Sequence, residues 1–485
     1  MKRMVPSLLL VLLLAGCASY SGIHIESSKT EASALGARDI TTEWPKADWW
    51  LALNDPVLNR LIDQALQGNL DLQGADVRMR QAQAVAGVAD ANRYPQLDAS
   101  YSSTRQRFSE NGLVPPPYAG STYNVNELNL GFNWELDFFG RNREALKAAL
   151  GQLHASEAEH QAVRIMVASE VARNYFALAR LQQQRTIADE LNQQRAEKLD
   201  LAAQRVAAGI EAPGNLEPLK GDLAGIRRDT AALNEQIATT RHALAALLGQ
   251  GPEAVQNLEA RLPDVAGLTL PQQIPLGLLG HRADIVAAKW RVESGLHGME
   301  SAKAAFYPNV NLRAFFGFSS VGFDKFLESG SRVPGAGLAI SLPIFDAGRL
   351  RNEYRFVTAQ TDGAIVNYNK TLVNAFRDVA DQVSTLSAID EQLQKQTAAL
   401  THAEQSRALA QQRYAAGISN RVPVLDAESD VLSQRRALID LQARWSIARV
   451  QLIHALGGGF TEADVNQASN NEARTIEANN GGHHG

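Results

Sequence analysis

Cysteine is almost absent from this chain of 485 residues, which has a single one, Cys17. One cysteine excludes an intramolecular disulfide and any metal site built from cysteine pairs. Lys and Arg number 47 against 52 Asp and Glu, a net charge of −5, so no basic surface indicates a nucleic-acid partner. The sequence also lacks a glycine-rich phosphate loop, a His-Glu-x-x-His pair and a nucleophile elbow. We therefore predict no catalytic residues, no metal site and no cofactor.

Long apolar runs and evenly spread prolines are also missing. Beyond the N-terminal segment, no stretch reaches the ~20 apolar residues of a transmembrane helix. Proline does not occur between Pro117 and Pro213, or between Pro343 and Pro423. These stretches are rich in good helix formers and predict helices at about 142–208 and 350–416. At 1.5 Å per residue each would be ~100 Å long, which indicates coiled-coil-like packing.

Residues 1–16 predict a lipoprotein signal peptide. Two basic residues precede the short apolar run Val5–Leu14, which ends in Leu14-Ala15-Gly16-Cys17. This ending resembles the bacterial lipobox, in which the cysteine after the cleavage site is lipidated. Cys17 is therefore the predicted lipid-attachment site, with a simple signal peptide cut nearby as the alternative. No aspartate follows the cysteine directly, which favours the outer membrane over retention at the inner one.

The chain is a tandem duplication. Leu201–Ile210 matches Leu409–Ile418 at an offset of 208 residues, and Asn69-Leu-Asp71 matches Arg282-Ala-Asp284 at an offset of 213. A repeat of this kind decides the architecture before any local pattern does. The change of offset predicts a surface loop of different length in the two copies, between Pro95 and Gly140.

Each copy predicts a helix, two strands, a very long helix, a tight turn and a returning helix. The first copy covers 55–250 and the second 276–458, with a linker at 251–275 between them. A lipid-anchored extended segment at 17–54 precedes them, and a disordered tail at 459–485 follows. The predicted strands are about 95–107, 125–137, 308–320 and 336–345, and the returning helices are about 216–248 and 423–456. Gly209 and Gly417 lie where glycine caps should end the long helices.

Alternating apolar and polar residues predict the strands. Their length, about 9–11 residues, suits a membrane strand, although two soluble hairpins half-buried on a core would show the same pattern. Four strands cannot close on themselves, and open edges are not viable in lipid. Several chains would pool their strands, and three chains would supply twelve. The apolar stripes are Leu128, Leu130, Phe132, Trp134 and Leu136; Val310, Leu312, Ala314, Phe316 and Phe318; and Leu338, Ile340, Leu342 and Ile344.

Several motifs in order carry a family resemblance. They include Trp134–Arg141, Leu342–Arg349, Phe306-Tyr-Pro308 and Arg413-Tyr-Ala-Ala-Gly417. With them the chain resembles the TolC-like outer-membrane factors, in particular the lipidated NodT/OprM type, and some stretches resemble its MdtP-like branch. The resemblance covers nearly all of residues 13–460.

The resemblance implies a mainly α fold with a membrane β-barrel. Such proteins are homotrimers with a twelve-stranded barrel and a long α-helical periplasmic tunnel. They are the outer-membrane conduits of tripartite efflux pumps, and they bind a periplasmic adaptor and an inner-membrane pump of the RND or MFS type. The implied function is passive export of drugs or toxic small molecules from a lipid-anchored channel in the outer membrane. A type I protein-secretion conduit and a non-pore periplasmic coiled-coil scaffold are the alternatives.

The resemblance also implies a gate in the second hairpin turn. The segment Gly417–Asp426 matches the family pattern in which an apolar residue and an aspartate narrow the tunnel tip, here Val422 and Asp426. A ring of Asp426 carboxylates would attract cations, although an aspartate in the first turn of a helix is also favoured by the helix dipole. TolC has a further aspartate where this chain has Pro423, and the first copy has Pro218 at the position of Asp426. The second hairpin is therefore predicted to constrict and the first to support it.

The two hairpin turns are the predicted docking surface for the adaptor. Capping of the helices alone would explain the glycines equally well. The predicted docking residues are Gly209, Ala212, Gly214, Gly417, Ser419, Asn420 and Arg421.

Overall fold

The computed structural model describes residues 19–36, 38, 44–264 and 277–463. The predicted signal peptide, Cys17, part of the linker and most of the predicted tail lie outside the described residues. Within them, no helix combines the length and the apolar character needed to cross a bilayer. The helices are α1 (Pro56–Gly68), α2 (Leu70–Ala91), α3 (Arg141–Ala207), α4 (Leu216–Leu247), α5 (Leu278–His281), α6 (Ala283–Ala304), α7 (Arg349–Ala415) and α8 (Val422–Ala455). The strands are β1 (Gln96–Arg107), β2 (Thr122–Glu135), β3 (Asn309–Val321) and β4 (Arg332–Ser341).

Several elements differ from the sequence-based prediction. The helix predicted before the strands of each copy is broken, at Asn69 in the first copy and at Arg282 in the second. The Asn69 Oδ1 accepts hydrogen bonds from the backbone N–H groups of Asp71 (2.9 Å) and Leu72 (3.1 Å) and so caps α2. Strand β2 begins about three residues earlier than predicted, at Thr122. Strand β4 lies about four residues earlier than predicted, at Arg332–Ser341. It ends before Pro343 because proline has no N–H to donate to a strand ladder. The apolar alternation therefore continues past the strand and does not mark its end.

The chain divides into two compact units. The first comprises Met1–Lys29, Met79–Ser156 and Ala288–Tyr368, and the second comprises Thr30–Arg78, Glu157–Ala287 and Asn369–Gly485. The predicted domain boundaries follow the two sequence repeats instead, and they stay predictions.

The first unit holds one antiparallel sheet with the strand order β1-β2-β3-β4. Its register lines up the apolar stripes of all four strands: Ala99 pairs with Leu130, Leu130 with Phe316, and Phe316 with Pro334. Because side chains alternate along a strand, one face of the sheet is mainly apolar and the other carries mainly polar and small residues. In the described part of the chain, β1 and β4 each pair on one side only.

Small residues bring α6 close to its neighbours in the first unit. A Cβ added to Gly151 of α3 would lie 3.0 Å from the Cβ of Ser294, and one added to Gly295 would lie 2.8 Å from Oγ1 of Thr361 on α7. The Ser294 hydroxyl donates to the carbonyl oxygen of Ala148 at 2.7 Å. A larger side chain at either glycine would force these helices apart.

The N-terminal segment is held on the first unit by aromatic and polar contacts. The ring of Tyr20 packs edge-on against Phe306 (centroids 5.5 Å apart) and Tyr354 (5.9 Å). The Arg351 guanidinium donates to the carbonyl oxygen of Ser19 at 2.8 Å. Further along, the backbone N–H of Ser27 donates to Asp362 at 2.7 Å. The segment therefore has side-chain anchors at both of its ends.

A buried hydrogen bond joins the start of α1 to α3 in the second unit. The Asp55 carboxylate caps α1 by accepting from the N–H groups of Val57 and Leu58, and its second oxygen accepts from the Tyr175 hydroxyl at 2.6 Å. Burial, together with this bond, raises the pKa of Tyr175 well above its usual value, so the phenol stays protonated. The surrounding apolar core includes Trp49, Trp50, Leu58, Ile62, Val171, Phe176, Leu178, Leu244 and Leu248.

Equivalent positions of the two repeats make the same contact. The amide of Asn69 donates to the carbonyl oxygen of Leu247 at 2.9 Å, and the guanidinium of Arg282 donates to that of Ala455 at 3.4 Å. Beside these bonds, Gly249 and Gly457 both have positive φ angles, 68° and 94°. Both copies therefore keep a hydrogen bond to the backbone carbonyl group at the end of the returning helix, although the donating side chain differs.

The side-chain change adds buried charge in the second copy. Arg282 has a side chain only 7% exposed and pairs with Asp284 at 2.6 Å and Asp378 at 3.5 Å. Removing one partner of a buried pair leaves an uncompensated charge. The second copy thus depends on an acidic residue of α7 that the first copy does not need.

Gly457 tests the repeated contact. A Cβ at this position would lie 1.7 Å from the His281 carbonyl oxygen, whereas one at Gly209, with φ of 71°, would meet nothing within 4 Å. Alanine costs about 1–2 kcal/mol at either site because the backbone is left-handed. Gly457→Ala adds a backbone collision, so we expect it to lower the melting temperature, followed by circular dichroism in detergent, much more than Gly209→Ala. Equal losses would contradict the proposed role of the contact.

Candidate functional site

The two hairpin turns begin with the same glycine cap. Helix α3 is followed by Gly209 (φ 71°) and α7 by Gly417 (φ 68°). The next residues, Ile210 and Ile418, donate their N–H groups back to Arg205 and Arg413 at 2.9 and 3.0 Å. This pattern satisfies the last carbonyl groups of each helix, and it confirms the predicted capping role of both glycines.

The predicted docking residues lie on open surface. A Cβ added to Gly209, Gly214 or Gly417 would meet nothing within 4 Å. Ala212 and Asn420 are exposed as well, while Ser419 and Arg421 are half-buried. The structure thus leaves both turns accessible from outside the chain.

Two apolar residues in these turns were missed by the sequence-based analysis. Ile210 is 69% exposed and Ile418 is 77% exposed. In a glycine-capped helix end, this position usually carries an apolar side chain that packs back on the helix. The sequence therefore provided no reason to expect exposed side chains at these two positions. The only signal was the repeat itself, which places an isoleucine after both glycines. Exposed apolar side chains at matching positions are candidates for a partner's contact.

The predicted gate residues lie in the first turns of α8. Val422 begins the helix, and the side-chain oxygen of Asn420 accepts its backbone N–H at 3.1 Å. Asp426 follows one turn later, with a side chain 53% exposed. The Lys198 ammonium of α3 lies 2.6 Å from its carboxylate. The carboxylate expected to act as free negative charge is therefore paired with a cation of its own chain.

Three side chains of α3 hold the start of α8. Gln194, Glu197 and Lys198 share one helix face, because residues three and four apart are neighbours. Glu197 accepts from the Arg421 guanidinium at 2.9 Å, and Lys198 pairs with Asp426. We call these five residues, together with Ser429, the α3–α8 clasp.

A buried amide lies at the centre of the clasp. Gln194, only 7% exposed, donates to the carbonyl oxygen of Leu425 and accepts from the Ser429 hydroxyl at 2.6 Å. Because its partners occupy successive turns of α8, it fixes the register of α8 against α3. The ion pairs on either side are partly exposed, so each contributes only about 0–1 kcal/mol.

Arg421 is both a predicted docking residue and a member of the clasp. Its hydrogen bond to Glu197 raises the pKa of the Arg421 guanidinium, as does the nearby charge of Glu428, 3.4 Å away. A cavity of about 350 Å³ lies beside it, lined in part by Ile210, Asn420 and Val422. The structure therefore brings one predicted gate residue, Val422, and two predicted docking residues, Asn420 and Arg421, together at one cavity. The other predicted gate and docking residues do not line it: Asp426, Gly209, Ala212, Gly214, Gly417 and Ser419.

Within the residues that the structure describes, no group of three or more His, Cys, Asp or Glu side chains is placed to hold a metal ion. Cys17, the predicted lipid-attachment site, lies outside the described residues.

Known proteins resemble the chain over most of its length. The sequence model of the outer membrane efflux protein family matches residues 61–250 and 275–458. The multidrug resistance outer membrane protein MdtP of Escherichia coli O6:H1 is 32% identical over 440 residues, which cover 87% of this chain and 88% of MdtP.

Solved structures agree with the fold. The outer membrane protein VceC of Vibrio cholerae superposes with a TM-score of 0.78 at 37% identity, covering 86% of this chain and all of VceC. The outer-membrane channel OprN superposes with a TM-score of 0.77 at 27% identity, covering 90% of this chain and 97% of OprN.

These similarities confirm three predictions made from the sequence: a TolC-like fold, an outer-membrane location, and an efflux channel in place of an enzyme. The repeated matching of one family model also agrees with the duplication. This chain belongs to the outer membrane efflux protein family.

Proposed function

We propose that the chain forms, as a homotrimer, the outer-membrane conduit of a tripartite pump that exports drugs or toxic small molecules. A periplasmic adaptor and an inner-membrane pump of the RND or MFS type would be its partners, and the pump would supply the energy. The multidrug resistance name of the relative MdtP supports small-molecule export. Under this proposal Cys17 carries the lipid that anchors the chain in the outer membrane.

The sheet is the observation that carries the proposal. One face presents apolar side chains from all four strands in register, and the other presents polar and small ones. The free sides of β1 and β4 bear backbone groups that must be paired in lipid. Pairing β4 of one chain with β1 of the next satisfies both edges. Three chains then give a barrel of about twelve strands, whereas the roughly eight strands of a dimer would be filled by their own side chains.

Conductance of the purified protein tests this function. In planar lipid bilayers, we expect discrete ion-conducting steps, because a polar lumen passes hydrated ions. Native mass spectrometry of the same sample should give three subunits, each with acyl chains on Cys17. A folded, membrane-bound protein that conducts neither as the wild type nor with the ion pair of the clasp removed, in Lys198→Ala/Asp426→Ala, would instead favour the non-pore scaffold.

We further propose that the α3–α8 clasp holds the periplasmic tip closed, with Val422 and Asp426 at the constriction. The two ion pairs that flank the buried Gln194 in the clasp are partly exposed, so breaking one costs little energy. A partner that competes for Arg421 or Lys198 would therefore release the start of α8. The first hairpin, with Pro218 in place of Asp426, would support the tip without constricting it.

The Lys198–Asp426 pair gives opposite predictions for its two members. Lys198→Ala leaves a bare carboxylate and should raise the preference for cations, whereas Asp426→Ala leaves a bare ammonium and should lower it. Both should raise the open probability about two- to fivefold, since a pair of this exposure contributes about 0.5–1 kcal/mol. Reversal potentials in a KCl gradient and single-channel records measure the two effects.

The matched control is Lys220→Ala. Lys220 forms an exposed pair with Glu217 at 2.8 Å on α4, outside the clasp, so its loss should change neither quantity. The double variant Lys198→Ala/Asp426→Ala should open more often but keep the wild-type ion preference. Shifts of the same sign in the two single variants would contradict the pairing.

We also propose that Ile210 and Ile418 join the predicted turn residues in binding the adaptor. Ile418→Ser should weaken adaptor binding about tenfold or more, because burying an isoleucine side chain contributes about 1.5–3 kcal/mol. The measurement is the yield of adaptor crosslinked to the channel in intact cells, with the adduct identified by mass spectrometry. Leu409→Ser, at a 61% exposed site on α7, is the control. An equal loss in both variants would contradict a specific role for Ile418.

A further inference from the structure

A large aromatic side chain, Phe315, lies on the polar face of the sheet where all four strands pair. Where all four strands pair, that face has three rows: Gln96-Asn133-Arg313-Gly337, Asp98-Gly131-Phe315-Gly335 and Ser100-Asn129-Gly317-Val333. Phe315 is the only aromatic residue among these twelve positions, and it lies in the middle row. It is 45% exposed. The ring of Phe315 is therefore accessible on a face that is otherwise mainly polar.

The neighbouring glycines determine how the ring lies. Phe315 pairs with Gly131 on one side and with Gly335 on the other. A Cβ added to Gly335 would lie 2.3 Å from Cζ and 2.5 Å from Cε1 of the Phe315 ring. The ring therefore covers the bare backbone of β4 and lies along the sheet, with one side against Gly335. With any larger residue at position 335, the ring would have to point away from the sheet.

On the β2 side of Phe315, its row continues through Gly131, which has no side chain, to the carboxylate of Asp98. A Cβ at Gly131 would approach no atom of Phe315, so a bare backbone surface adjoins the ring there. Beyond it, Asp98 is exposed on β1. Two strand spacings of about 4.8 Å place its backbone about 10 Å from that of Phe315.

The strands favour a cation on this face. The strands place three carboxylates on it, Asp98, Glu127 and Glu135, against one guanidinium, Arg313. Because the Arg141 guanidinium pairs with Glu135 at 2.6 Å, two carboxylates remain against Arg313. An aromatic surface attracts planar aromatic groups by stacking and cations through its electron-rich face.

We propose that Phe315 is a stacking site for planar aromatic cations on their way through the lumen, and that Gly335 keeps its ring flat so that the passage stays wide. The inference rests on the proposed function, because it takes the polar face of the sheet to line the lumen. A solute would stack on Phe315, cover Gly131 and direct its charge towards Asp98.

Single-channel blockade tests the stacking site. Rhodamine 6G is a planar aromatic cation, and tetrabutylammonium is an aliphatic cation of the same charge. With Phe315→Ala we expect rhodamine blocks to shorten about three- to tenfold, which is the range that aromatic pairing contributes, while tetrabutylammonium blocks keep their length. Phe315→Leu keeps an apolar side chain without a ring and should shorten the rhodamine blocks as well.

Two further variants separate the site from a structural role. Phe316→Ala removes a neighbouring ring, 47% exposed, from the opposite face, and it should leave rhodamine blocks unchanged. Gly335→Ala should turn the Phe315 ring into the lumen and lower the conductance in KCl, an effect that the double variant Gly335→Ala/Phe315→Ala should reverse.

The outcomes distinguish this inference from the function on which it rests. Absence of conductance in both the wild type and the Lys198→Ala/Asp426→Ala variant would overturn the proposed channel itself. A conducting Phe315→Leu variant with rhodamine blocks of wild-type length would overturn the stacking site and leave the channel intact. The same conclusion would follow if tetrabutylammonium and rhodamine blocks shortened equally.

Discussion

Unpaired backbone at the two sheet edges is the constraint on which the proposed assembly depends. The four strands satisfy one another's N–H and C=O groups, but the outer sides of β1 and β4 have no strand partner within the described chain. Water can satisfy such groups and lipid cannot. A chain of this family therefore cannot place its sheet in the outer membrane alone. The proposed number of subunits is a consequence of this requirement.

The two sequence copies share some contacts and differ in others, and both the shared and the differing contacts bear on the structure. Both repeats keep a side chain that reaches the carbonyl group at the end of the returning helix, from Asn69 in one copy and Arg282 in the other. The charged side chain of the second copy pairs with Asp284 and Asp378. Near the start of the returning helices, Pro218 and Asp426 occupy equivalent positions. Only the second copy can therefore form the ion pair with Lys198, and the two hairpins are chemically unequal.

Much of the fold could be predicted from the sequence because its signals are periodic and local. Missing prolines and capping glycines bound the two 67-residue helices to within one residue of Arg141–Ala207 and Arg349–Ala415. Alternation predicted the apolar face of the sheet but misjudged β4, since the ladder depends on the hydrogen-bond donors that Pro343 lacks. The clasp could not be predicted, because Lys198 and Asp426 are 228 residues apart and no local pattern pairs them. The orientation of the Phe315 ring could not be predicted either, because it depends on Gly335, and only the strand register places Gly335 beside Phe315.

The clasp joins two helices of the same chain, and this has a consequence for how an assembly of such chains would behave. Contacts between subunits couple neighbours, so that they change state together. Contacts within a subunit impose no such coupling. In the proposed trimer, each chain would contain its own α3–α8 clasp, and the clasp of one chain could open while those of the other chains stay formed. The clasp by itself would then let the channel open chain by chain, through intermediate widths.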